Sequence, residues 1–140
     1  MAQRDFILRE IERLGEFLAA LRRRLVGGGE SAGAAQVRED LDNFGERAGL
    51  NPTLLRSLTG DTLALMMQGR AGTDPATCWL WAEFLYLDGL TAEAEGDPIV
   101  ARDRWSKALM LYSLLGTTAA GAWLKEVPDR ISEIEQRLGA

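Results

Sequence analysis

The most informative stretch of the sequence is Ala82–Leu109, AEFLYLDGLTAEAEGDPIVARDRWSKAL, in a chain of 140 residues. It predicts two antiparallel helices joined at Gly96-Asp97-Pro98, because glycine ends helices and aspartate followed by proline starts them. Small residues fall where two such helices would touch, with the large Trp105 among them. These small residues are Gly89, Ala101 and Ala108. We therefore expect a closely packed helix pair.

The rest of the chain also predicts helices. Asn51-Pro52 and Asp74-Pro75 repeat the start signal, in which the Asx side chain caps a free amide and proline occupies the first helical position. The expected helices cover about 5–26, 34–48, 52–67 with a break at Gly60-Asp61, 75–95, 98–115 and a last segment ending at 138. No convincing strand pattern occurs. The sequence therefore predicts an all-α fold.

Apolar residues in the first helix are spaced four, three, four, three and four, which makes a heptad seam of about three repeats. The seam residues are Ile7, Ile11, Leu14, Leu18, Leu21 and Leu25. The glycine-rich segment 27–33 is expected to be a flexible linker. This divides the chain into an amphipathic helix at 1–26, the linker, and a helical domain at 34–140. We predict that the first helix mediates homo-oligomer formation; the alternative is that it folds back and its apolar stripe is ordinary core.

Three arginines, Arg22, Arg23 and Arg24, close the first helix. We interpret them as solvated cations that complement the negative end of the helix dipole. The alternative is an amphipathic helix lying on an anionic membrane surface. Interleaved glutamates and the lack of a tryptophan on the apolar face weigh against that alternative.

Composition excludes several classes of protein. The chain has no histidine and one cysteine, Cys78, which excludes Ser–His and Cys–His pairs, a disulfide within the chain and a cysteine zinc site. The net charge of −5 weighs against a nucleic-acid partner. No apolar run is long enough for a transmembrane helix, and the charged N-terminus does not resemble a signal peptide. These features favour a cytoplasmic protein.

Carboxylates, hydroxyls and two lysines, Lys107 and Lys125, are left for chemistry. We expect Lys107 at an exposed helix position and Lys125 near a helix end, so neither has an apolar setting that would lower its pKa. Acidic groups such as Asp40 and Asp42 are interpreted as solvated faces. We therefore predict no catalytic residue, no metal site and no cofactor.

The Ala82–Leu109 pair resembles one tetratricopeptide repeat. The resemblance rests on Gly89, Gly96, Asp97, Ala101, Trp105 and Ala108. Asp88 departs from it, because the repeat has an apolar residue there, and Ala92 stands where the repeat has an aromatic one. The resemblance implies a partner groove on the exposed side of the first helix of the pair. Its residues would be Glu83, Tyr86, Leu90 and Glu93.

The opening Arg4-Asp5-Phe6-Ile7-Leu8-Arg9-Glu10-Ile11, followed by Leu14, resembles a family of small uncharacterised bacterial proteins. These pair such an N-terminal helix with a helical, tetratricopeptide-like remainder. The resemblance implies an architecture and a bacterial source but no activity. The preferred function is a protein–protein interaction module or scaffold that binds a second copy and a protein or peptide partner. The alternative is a helical ligand-binding or carboxylate-based catalytic domain.

Overall fold

A computed structural model describes residues 2–28, 31–68, 74–117, 124 and 126–139, and in these ranges the chain forms seven α-helices and no strand. The description excludes the side chains of residues 2–8, 10, 11, 14, 26–28, 31 and 32. The helices are α1 (Ala2–Gly28), α2 (Ser31–Arg47), α3 (Pro52–Ser57), α4 (Gly60–Met67), α5 (Pro75–Ala94), α6 (Pro98–Gly116) and α7 (Glu126–Gly139). The predicted all-α fold is confirmed.

The Asx-Pro start signals are confirmed. Asn51, Asp74 and Asp97 are the N-caps of α3, α5 and α6, and proline opens each of these helices. Each Asx side chain accepts the backbone N–H three residues later, at 3.1, 3.2 and 3.2 Å respectively. The caps satisfy donors that the helix backbone leaves unpaired, so the starts are determined locally.

Helix α5 is the centre of the fold. Fifteen of its 20 residues are buried, and it packs against α1, α2, α3 and α6. Its sequence is apolar on nearly every side, which is the pattern of a helix surrounded by other helices. Helices α4 and α7 pack on α6. Every other element is therefore placed by its contact with α5 or α6.

Small residues lie at the crossing of α5 and α6, as the sequence predicts. Gly89 abuts the Trp105 indole and the Ala101 carbonyl, and Ala101 and Ala108 are fully buried. Gly96 has φ +85°, a left-handed conformation that favours glycine, and it ends the first helix of the pair. Because Gly89 has no Cβ, the indole of Trp105 can lie directly on the α5 backbone.

The predicted linker at 27–33 is wrong at the five residues that the structure describes, and residues 29 and 30 lie outside the described part of the chain. Positions 27 and 28 are the last turn of α1, and 31–33 belong to α2. Leu18 and Leu21 are 1% and 2% exposed, and Leu25 is half-buried against the same core. The C-terminal half of the heptad seam therefore packs within the chain, because it covers α5 and α2, and Leu18 and Leu21 do not form a docking surface. The side chains of Ile7, Ile11 and Leu14 lie outside the described residues.

Helix α1 runs parallel to α5 and antiparallel to α2. A Cβ on Gly15 would lie 3.4 Å from Trp79 Cη2, and seven residues on, the Arg22 guanidinium lies 5.9 Å from the centroid of the Tyr86 ring. On the other side, the rings of Phe17 and Phe44 stack at 5.0 Å. The equal seven-residue steps show that α1 and α5 stay in register over two turns.

Replacing Gly89 by alanine is expected to destabilise the fold. The new Cβ would collide with the Trp105 indole at the tightest helix contact, so the free energy of unfolding should fall by roughly 1–3 kcal/mol. Gly33→Ala is the matched control, because a Cβ there meets no atom within 4 Å and alanine favours a helix by about 0.5–1 kcal/mol. Urea unfolding measures both; a Gly89→Ala variant as stable as Gly33→Ala would contradict the packing.

Candidate functional site

The most deeply buried charge is the carboxylate of Asp88, which is 1% exposed in the middle of α5. Three arginines from three other helices donate to it. Arg56 of α3 bonds both oxygens at 2.9 and 3.1 Å, and Arg104 of α6 bonds Oδ2 at 2.8 Å. Arg38 of α2 completes the set through Oδ1. A buried carboxylate is tolerated only when it is paired in this way.

A second layer of acids balances the arginines around Asp88. Arg38 bonds Glu95 at 2.7 Å. The other two arginine pairs are Arg56–Asp42 and Arg104–Asp103. With every guanidinium already held by two carboxylates, this cluster has the arrangement of a structural brace for α2, α3, α5 and α6, rather than of a site with donors to spare for a ligand.

Lys107 also belongs to this brace, and the prediction that it is exposed is wrong. It is 5% exposed rather than solvated. Its ammonium donates to the Arg56 carbonyl at 2.7 Å and pairs with Asp103 at 3.1 Å. A cation at the carboxyl end of α3 satisfies a carbonyl that has no partner in the helix.

The pKa of Asp88 is lowered. Burial by itself raises the pKa of this carboxyl, but the hydrogen bonds and charge of Arg56, together with Arg38, outweigh that effect. An acid with a lowered pKa stabilises the folded state above its ordinary value of 3.8. That contribution is lost as pH falls through the folded pKa.

The second buried carboxylate, Glu83, lies five residues earlier on α5 and is 5% exposed. It accepts hydrogen bonds from the Tyr112 hydroxyl of α6 and from Arg130 Nε of α7, the latter at 2.9 Å. Burial raises the pKa of Glu83, and the nearby Arg130 charge only partly offsets it. The two buried acids of α5 are therefore shifted in opposite directions, because three cations surround Asp88 and one bonds Glu83.

The tetratricopeptide resemblance implies an exposed partner groove on α5, and this prediction is wrong because three of its four residues are buried. Glu83, Tyr86 and Leu90 are 5%, 1% and 4% exposed, and Glu93 alone of the four is exposed. Helices α1 and α7 cover this side of α5. Arg130 lies over the Tyr86 ring at 5.6 Å, and Glu93 pairs with Arg137 of α7 at 3.4 Å.

Two open concavities flank α1. The first, here called the aromatic groove, has a volume of about 460 Å³ and lies between α1, α2 and the start of α5. It is lined by Arg13, Phe17, Phe44, Arg47, Ala48, Ala76, Thr77 and Leu80. The stacked rings form its floor and the two arginines its cationic part. No sequence pattern singled it out, because its aromatic residues lie on helices that meet only in the fold.

The second concavity, here called the α1–α5–α7 cavity, has a volume of about 360 Å³. Its polar lining comes from Glu12, Glu16 and Arg22 on α1, Glu83 on α5, and Glu126 and Arg130 on α7. Trp79, Leu18 and Leu87 are among its apolar walls. Each of the two concavities is within the size range of natural ligand pockets or close to it.

The one thiol of the chain lies in the core. Cys78 is fully buried, and burial raises the pKa of its thiol to about 12, so it stays protonated at neutral pH. In the described part of the chain no three cysteine or acidic side chains are grouped as metal ligands. The same residues include no helix long and apolar enough to cross a bilayer.

Comparison with known proteins found no matching family model, no matching characterised protein and no matching solved structure. The resemblances to a tetratricopeptide repeat and to a bacterial family therefore stay predictions. The surfaces and side-chain clusters of the fold are therefore the basis for a proposed function.

Removing the charge of Asp88 is expected to be severe. Asp88→Asn leaves three guanidinium groups around a neutral amide, and breaking a buried ion pair in this way costs about 3–5 kcal/mol. Asp40→Asn is the control, because Asp40 pairs outside the cluster with Arg24 and these two side chains are 31% and 44% exposed; exposed pairs of this kind contribute little to stability. Chemical denaturation of both variants checks this, and equal stabilities would contradict the brace.

Glu83 gives the opposite pH dependence from Asp88. Its raised pKa means that the folded protein holds this proton more tightly than the unfolded chain does. The stability advantage of wild type over Glu83→Gln should therefore shrink as pH rises above the ordinary value of 4.5. Urea unfolding of both proteins between about pH 4 and 8 measures the difference. A difference in unfolding free energy that stays constant or grows with pH would show that folding does not raise the pKa of Glu83.

Proposed function

We propose that the protein is a non-enzymatic interaction module that self-associates through the N-terminal half of α1. The proposal rests on the unequal lengths of α1 and α5 before the point at which the two helices meet. Thirteen residues of α1 (2–14) precede Gly15, whereas only four residues of α5 (75–78) precede its neighbour Trp79. Since the two helices are parallel, about nine residues of α1 extend past the start of α5, on the order of 13 Å.

Helix α2 ends near the level at which α5 begins. The last residue of α2, Arg47, lines the aromatic groove together with Arg13. The antiparallel α2 therefore accompanies α1 back only to about residue 13. The extending segment includes position 7, and position 11 lies level with the first residue of α5; both continue the heptad pattern whose later members, Leu18 and Leu21, are core residues. An apolar heptad that continues past its neighbouring helices is suited to pairing with another helix.

The aromatic groove adjoins this segment and supports the same proposal. Phe17 is 43% exposed, although it stacks on Phe44 with an interplanar angle of 12°. Aromatic residues and arginine are enriched in the central parts of protein interfaces. Phe17 lies one turn after Arg13 on the same side of α1, so the groove and the extending segment form one continuous surface.

The alternative functions have weaker support. For a membrane-surface role, Arg22 and Arg24 would have to face lipid, but Arg22 pairs with Glu133 and Arg24 bonds Asp40 at 2.8 Å. For catalysis by carboxylates, the buried acids would have to be available. Both oxygens of Asp88 are already bonded by arginines. Of the two buried acids in the described residues, Glu83 is the one that lines the α1–α5–α7 cavity.

The test is the oligomeric state of the full chain. Light scattering coupled to gel filtration should give a dimer or a larger species, and Ile7→Glu with Ile11→Glu should shift it to monomer, because charges cannot be buried in a helix–helix seam. Ile99→Glu is the control, since Ile99 is 81% exposed on α6 and should not change the oligomer. Leu18→Glu is unsuitable, because it would unfold the core.

Far-ultraviolet circular dichroism verifies that each variant keeps its helices. A full-length chain that remains monomeric at high micromolar concentration would overturn the proposal. So would a double variant that is folded and associates as wild type does.

A further inference from the structure

The aromatic groove combines positive charge with an apolar floor. Its described lining contains two arginines, Arg13 and Arg47, and no acidic residue, although the chain as a whole has a net charge of −5. Both arginines are exposed, and Arg47 forms no ion pair or hydrogen bond with another described residue. A cleft lined by one sign of charge concentrates ions of the opposite sign. The groove is therefore complementary to an anion.

The apolar part of the groove is aromatic. The rings of Phe17 and Phe44 stack with an interplanar angle of 12°, and Phe17 is nevertheless 43% exposed. Ala48, Ala76 and Leu80 are the other apolar residues of the lining. Since aromatic rings favour offset stacking on one another, a ligand that covers Phe17 gains most if it carries a ring of its own.

The polar contacts that the groove can offer come from its arginines. The Thr77 hydroxyl donates to Asp74 at 2.6 Å, and the Thr77 backbone N–H donates to the same carboxylate at 3.2 Å. These two donors are therefore already used. A guanidinium has paired N–H donors in one plane, which match the two oxygens of a carboxylate.

We propose that the aromatic groove binds a small aromatic carboxylate. The carboxylate pairs with Arg47, Arg13 adds positive charge, and the ligand ring lies on Phe17. The groove volume of about 460 Å³ is within the range of natural ligand pockets. This binding does not require self-association, because all the lining residues belong to one chain.

Three related compounds separate the contributions of charge and ring. The compound 2-naphthylacetate has both, 2-naphthylacetamide has the ring without the charge, and acetate has the charge without the ring. The backbone amide signals of Ala48 and Thr77 are followed by ¹⁵N–¹H NMR. Naphthylacetate should move them saturably, naphthylacetamide should bind roughly tenfold more weakly, and acetate at the same concentration should leave them unchanged.

Variants of the groove test the same contributions from the side of the protein. Arg47→Gln should weaken naphthylacetate binding roughly tenfold and leave naphthylacetamide binding unchanged. Arg23→Gln is the matched control, because Arg23 is an exposed cation of α1 that does not line the groove. Phe17→Leu keeps the apolar bulk without the ring, so it should weaken the binding of both naphthyl compounds. The thermal shift of the intact protein by naphthylacetate is a second readout.

Three results would overturn the proposal. The first is that naphthylacetate at millimolar concentration moves neither the groove signals nor the melting temperature. The second is that the neutral amide binds as well as the carboxylate, or that Arg23→Gln weakens binding as much as Arg47→Gln. The third is that the groove signals move with protein concentration and not with naphthylacetate, which would make a second copy the occupant of the groove.

The titrations are made at protein concentrations below those at which light scattering detects an oligomer. A failure of ligand binding then leaves the self-association proposal intact. Conversely, a chain that stays monomeric at every concentration and binds naphthylacetate through Arg47 would overturn self-association alone.

Discussion

The bond set around Asp88 is the interaction on which the arrangement of helices depends. One buried carboxylate on α5 is held by Arg38, Arg56 and Arg104, which come from α2, α3 and α6. Apolar contacts also place these helices, as Trp105 does where it lies on Gly89. The hydrogen bonds to one carboxylate are directional, so they further restrict how α2, α3 and α6 are oriented around α5. Without its counter-charges Asp88 would be the costliest group in the core.

Helix α1 supplies none of the three arginines on Asp88, and its two ends have different surroundings. Its C-terminal half closes the core through Leu18 and Leu21, whereas residues 2–10 continue past the ends of α2 and α5. One helix therefore takes part both in the fold and in the proposed contact with a second copy. The α1–α5–α7 cavity lies beside the folded half, next to Glu83, whose pKa is raised by burial, an effect that Arg130 and Arg22 only partly offset.

The local features were predictable from the sequence and the long-range ones were not. Asx-Pro caps and the Gly89 contact follow from residues close in sequence, and they are confirmed. The partners of Asp88 lie 16, 32 and 50 residues away, so no local pattern could show why an acid replaces an apolar residue there. The heptad in α1 is equally compatible with a core stripe and with a seam between chains. The structure differs from the linker prediction because the glycines at 27 and 28 form the last turn of α1 instead of ending the helix before them.

Helix α1 is proposed to have two parts: residues 15–28 close the core, and residues 2–10 extend past α5 and bind a second copy. Backbone hydrogen exchange, measured by NMR or mass spectrometry over a wide range of protein concentration, distinguishes the two parts. Amides 15–28 should be protected at every concentration, whereas amides 2–10 should gain protection only as the oligomer forms. Protection of amides 2–10 that does not change with concentration would rule out self-association through this segment.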